Sequence, residues 1–116
     1  MSGGIWGNEA MNDKQALRKL IEAVEGGTWR GVSIVWSIGE RNGRFAWEAY
    51  HGSLDAAKAL HEALLPGWDY CIDNLGRAKN DFCSQVYDGN QTWAKFSATP
   101  ARAWLLAILK AYRAGL

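Results

Sequence analysis

His51, Ser53 and Asp55 stand within five residues of one another and supply the three side-chain types of an acyl-transfer triad. The surroundings argue otherwise: Ser53 opens an apolar-periodic run, the position of a helix cap, and the G-x-S-x-G elbow that exposes a nucleophilic serine is absent. His61-Glu62 has the first half of a metalloprotease motif, but no second histidine follows one turn later to complete a pair of ligands, so a solvated helix pair is expected. Asp69, Cys71 and Asp73 alternate on one side of a strand pattern and read as solubilising charges rather than paired acid and base. Cys83 has neither a sequence-local base nor a helix start to favour its thiolate, so it reads as a strand cysteine. Residues 39–44, GERNGR, hold two glycines but neither the dinucleotide fingerprint nor a phosphate-loop lysine. Two cysteines without a C-x-x-C pair and two histidines ten residues apart make no zinc ligand set. No catalytic residue, metal or cofactor is expected, and the chain reads as non-enzymatic.

The aromatic residues leave more to explain. Seven tryptophans occur in 116 residues. Trp36, Trp68 and Trp104 fall on inward faces of their elements and suit a core. Trp29, Trp47 and Trp93 lie near Arg30, Arg41, Arg44 and Lys95 in sequence. Aromatic and arginine side chains anchor protein interfaces, and they also stack on nucleobases while gripping phosphates. These seven residues are the candidate binding set, with core packing as the alternative for the three indoles.

Elements must hold these groups in place, and 116 residues suffice for one domain with a modest core. Apolar residues at 48% and charged residues at 22% exclude disorder and fibrous repeats. Thirteen basic residues against twelve acidic ones, spread along the length, give no electrostatic footprint for nucleic acid or membrane. The start lacks the basic and apolar regions of a signal peptide, and no run approaches a membrane span, so a soluble intracellular protein with reduced cysteines is expected. A Cys71–Cys83 bridge stays open if their strands pair in register.

Residues 1–11 read as a flexible tail, and residues 12–116 as a single domain. Asn12 and Gln15 form a capping box ahead of Leu17, Leu20, Ile21 and Val24 on one helical face, with Gly26 and Gly27 as the stop. Val32, Ile34, Trp36 and Ile38 alternate as a strand, with a short helix as competitor over 33–40; Asn42-Gly43 then signals a turn, and Phe45, Trp47 and Ala49 complete a hairpin. Ser53 caps a helix whose stripe is Leu54, Ala57, Leu60 and Ala63 or Leu64, and Pro66-Gly67 ends it. Trp68, Tyr70 and Ile72 start a strand, residues 74–81 form a polar loop, and FCSQVY and TWAKFSA give two more strands around Asp88-Gly89. Thr99 caps, and Pro100 begins, a last helix apolar enough to be the most buried. The fold class is therefore α+β: three helices on a mainly antiparallel sheet of three to five strands.

Ser53, Asp55, Ala56, Ala57 and Leu60, then Pro66, Gly67 and Trp68, then Thr99, Pro100, Ala101 and Ala103 follow a pattern of S-x-D-A-A-x-x-L, then P-x-G-W or a similar turn into a strand, then T-P-A-x-A. In these segments the chain resembles the phage alpha-beta-alpha sandwich domain family, small proteins of bacteriophages and prophages, over residues 45–113. The resemblance implies a sheet with packed helices and a phage setting, and it implies no catalytic residues. By that analogy the expected role is an accessory protein that binds and blocks a host protein in the bacterial cytoplasm, such as an anti-CRISPR inhibitor of a defence complex. The alternatives are a binder that sequesters a nucleotide immune signal, with Arg30, Arg41 or Arg44 on phosphate and a tryptophan on the base, and a structural phage protein without a ligand. A homodimer is compatible with each of these.

Overall fold

The structure is a computed structural model and describes residues 13–30, 38–74 and 82–115. Among these, four helices and three strands follow in the order α1 (Asp13–Glu25), α2 (Glu40–Tyr50), α3 (Leu54–Leu64), β1 (Asp69–Asn74), β2 (Phe82–Tyr87), β3 (Thr92–Ser97) and α4 (Pro100–Ala114). The strands form one antiparallel sheet in the order β1-β2-β3. The α+β class and the three strands agree with the expectation, and the helix count rises from three to four.

The added helix is α2, where a second hairpin strand was expected. Asn42-Gly43 is no turn: the Gly43 amide donates to the Gly39 carbonyl at 2.8 Å, and Asn42 Nδ2 donates to the Ile38 carbonyl at 2.9 Å. The local turn preference is overridden because Gly43, Ala46, Ala49 and Tyr50, at helical spacing, form a small buried face that packs on α3 and α4. Phe45, Trp47 and Ala49 imitate strand alternation, yet the burial follows the helical period. Residues 32–37 of the expected strand, the tail, Asn12 and residues 75–81 of the expected loop lie outside the described residues, while Asn74, expected to open that loop, ends β1.

Local signals elsewhere hold. Ser53 Oγ accepts from the Ala56 amide and Thr99 Oγ1 from the Arg102 amide, both at 3.1 Å, which satisfies otherwise orphaned donors at the starts of α3 and α4. Pro100 stands in the first turn of α4. Gly67, at φ 86°, takes the left-handed turn that carries the chain from α3 into β1, a conformation a side chain would strain. The stripe of α3 is corrected: Ala56, Ala57, Leu60 and His61 are buried, whereas Leu54 and Ala63 are exposed.

Helix α4 is the centre of the molecule. It touches all three strands and all three other helices, and it buries Ala101, every residue from Ala103 to Leu109, and Ala111. A helix with so broad an apolar surface has to be largely enclosed, and only Pro100, Arg102, Lys110 and its last turn reach the surface. Leu17, Leu20, Ile21 and Val24 of α1 join the same core. In the sheet, Tyr70, Val86 and Trp93 are cross-strand neighbours, as are Ile72, Ser84 and Lys95, and this face meets α4. Cys71 pairs with Gln85 and Cys83 with Asp73, so the two cysteines are diagonal and no disulfide joins them.

Candidate functional site

The chemical sets weighed first are used for structure. Ser53 is spent as a cap. His51 Nδ1 donates to the Trp47 carbonyl at 2.9 Å, at the end of α2. His61 is not a solvated helix residue: only 2% of it is exposed, and both ring nitrogens are occupied. Trp104 Nε1–H donates to His61 Nδ1 at 3.2 Å, which makes Nδ1 an acceptor and leaves Nε2–H to donate to the Trp68 carbonyl at 2.9 Å. A histidine with each nitrogen so engaged ties α3, α4 and the turn into β1 together. Asp69 and Asp73 are exposed, as solubilising charges should be. Among the described residues no three His, Cys, Asp or Glu side chains converge as metal ligands, and no helix is long and apolar enough to cross a membrane.

The candidate binding residues divide into two groups. Trp29, following the end of α1, is 7% exposed and forms the floor of an aromatic cluster. Trp47, on α2, meets it edge to face at 5.3 Å, lies roughly parallel to Tyr50 at 6.1 Å and contacts His51 at 4.2 Å. Tyr50 completes the set, edge-on to Trp29 at 5.4 Å. Trp47 remains 36% exposed above this floor, an indole fixed by its neighbours yet facing solvent. Helical spacing places Arg44 one turn before Trp47 and His51 one turn after it, while Arg30 follows Trp29 directly; all three are exposed. Arg41 points elsewhere, its guanidinium 5.6 Å from the Phe45 ring, where it lines a shallow hollow between α2 and α3.

The cluster is braced from behind. The Arg102 guanidinium lies 4.2 Å over the Tyr50 ring, and its Nε and Nη2 donate to the Tyr50 carbonyl at 3.3 and 3.1 Å. A cation at the carbonyl end of α2 also complements the helix dipole.

Trp93 and Lys95 form the second group, on β3. Trp93 is half-buried, with its indole N–H donating to Gln91 Oε1 at 3.3 Å. Lys95 Nζ lies 3.6 Å from Glu25 Oε2, which Lys110 Nζ approaches at 3.3 Å. The neighbouring Lys110 and then the loss of water on packing hold the Lys95 ammonium below the ordinary lysine value. Sequence reasoning missed Arg18, Glu22, Lys110 and Arg113, which line a groove with Trp93; their helical spacing was readable, but their meeting depends on how α1 and α4 pack. No family model, curated protein or solved structure matches this chain.

Proposed function

We propose that this chain is a small phage-type accessory protein that binds and blocks a host protein through the Trp47 face of α2, with counter-defence of the anti-CRISPR kind as its setting. The observation that carries the reading is the state of Trp47: a large ring left 36% exposed while three aromatic neighbours and a braced helix end hold it still. A rigid exposed indole loses little entropy on docking and offers the apolar area that dominates interface hot spots. Arg30 and Arg44 give it a charged rim. Binding of this sort acts by occlusion and needs no reaction. Plating of a targeted phage on CRISPR-proficient bacteria tests the setting: expression of the chain restores plaques, and Trp47→Ala at equal protein level does not. Equal plating with both chains contradicts it.

A further inference from the structure

The groove between α1 and α4 lies apart from the Trp47 face. Arg18, Ile21, Glu22 and Glu25 form one stripe of α1, Lys110, Arg113 and Ala114 one stripe of α4, and Trp93 lines the groove from β3; its volume is about 270 Å³. The lining is charged and unbalanced. Lys95 and Lys110 share the single carboxylate of Glu25. The lining holds three cations, Arg18, Lys110 and Arg113, against two anions, Glu22 and Glu25; Lys95, paired with Glu25 from outside the lining, brings the cations of the cluster to four, and four less two leaves a surplus of two positive charges among the described residues. Arg113 is anchored, its Nε donating to the Lys14 carbonyl at 2.9 Å. Cations gathered in this way repel one another, and a multiply charged anion relieves the repulsion.

We infer that this groove binds a small phosphorylated ligand with a planar ring, a nucleoside monophosphate in class, its phosphate on Arg18, Lys110 and Arg113 and its ring against Trp93. A phosphate monoester carries about −1.5 to −2 charges at neutral pH and matches the surplus, whereas a carboxylate leaves one cation uncompensated. Indole faces stack on any nucleobase, and guanidinium groups grip phosphate oxygens in pairs. Glu22 is placed to accept from ribose hydroxyls or a base amine. The volume, about 270 Å³, lies just below the usual range of ligand pockets, which starts at roughly 300 Å³, and so leaves room for one nucleotide at most. This site is independent of the Trp47 face.

Isothermal titration of the full chain with adenosine monophosphate, adenosine and inorganic phosphate tests the inference. The monophosphate binds saturably and about tenfold or more tighter than either half alone, because ring and phosphate contacts add. Arg18→Gln, at an exposed position, weakens the monophosphate about tenfold without lowering the melting temperature and leaves adenosine unchanged. Trp93→Leu weakens the monophosphate and adenosine alike; since Trp93 also packs on the core, its folding is checked by melting temperature. Absence of saturable heat from the monophosphate at millimolar concentration overturns the inference. So does phosphate binding as tightly as the monophosphate, or an Arg18→Gln chain that binds it undiminished.

Discussion

Arg102 grips Tyr50 twice, its guanidinium stacked on the ring at 4.2 Å and two of its N–H groups on the same residue's carbonyl. One side chain from the start of α4 thus fixes both the floor of the aromatic cluster and the last turn of the helix that carries Trp47. Arg102→Met keeps the stem and loses the donors, leaving a half-buried carbonyl short of partners. Its expected cost is about 1–3 kcal/mol in chemical denaturation, with weaker binding through Trp47 as the floor loosens. Arg102→Lys recovers only part of either loss, because a lysine cannot stack and donate as a planar fork.

The Trp104–His61–Trp68 chain predicts an effect of similar size inside the core. Trp104→Phe preserves most of the ring area but leaves His61 Nδ1 facing a partner that cannot donate. A buried acceptor without a donor costs about 1–3 kcal/mol. His61→Leu removes both ring nitrogens together, and Trp104→Phe in that background is cheaper than in the wild type. A double-mutant cycle read by urea denaturation gives the coupling directly.

Ser84 is fully buried beneath α4, and its hydroxyl has no hydrogen-bond partner among the described residues. Burying an unsatisfied hydroxyl is unfavourable, so Ser84→Ala raises the unfolding free energy by about 1 kcal/mol instead of lowering it as most core truncations do. A thermal melt of the two proteins decides the sign.

Asp88 accepts from the amides of Asn90 at 2.9 Å and Gln91 at 2.8 Å, with Gly89 at φ 96° between the strands of the β2–β3 hairpin. These amides favour the ionised carboxylate, first Asn90 and then Gln91, and hold its pKa below the ordinary carboxylate value. Between that lowered value and the unfolded value near ~4 the unfolded chain binds more protons, so the contribution is whole above ~pH 4 and fades as pH falls through the folded value. Asp88→Asn keeps an accepting oxygen and loses the charge. Its stability profile in acid is therefore flatter than the wild type's, measured as melting temperature against pH.

What the sequence revealed and what it concealed follow one physical division. Ser53, Thr99, Pro100, Gly67 and Gly89 act within four residues of themselves, so their chemistry is legible without knowing the fold. Helix α2 is the opposite case: Asn42-Gly43 favours a turn locally, and only the contact of Gly43, Ala46 and Ala49 with other elements makes a helix there. His61 looked like a surface residue because its partners are seven and 43 residues away. The seven candidate binding residues were grouped by nearness in sequence, and the fold separates them: Trp29 and Trp47 meet, Arg30 and Arg44 follow or precede them by a residue or a turn, Arg41 turns to Phe45, Trp93 lines the α1–α4 groove and Lys95 pairs with its Glu25. Proximity along the chain was a poor guide to proximity in space for residues on different elements.

The most direct test of the Trp47 face is quantitative affinity capture from bacterial host lysate with wild-type, Trp47→Ala and Arg18→Gln baits compared side by side. Trp47→Ala removes an exposed ring and its edge contacts, at a cost to folding of about 1–2 kcal/mol, so the bait remains folded. The expected result is a host protein held by the wild type and by Arg18→Gln but reduced tenfold or more, by roughly 1.4 kcal/mol or above, with Trp47→Ala. A partner retained equally by all three baits contradicts the assignment of this face.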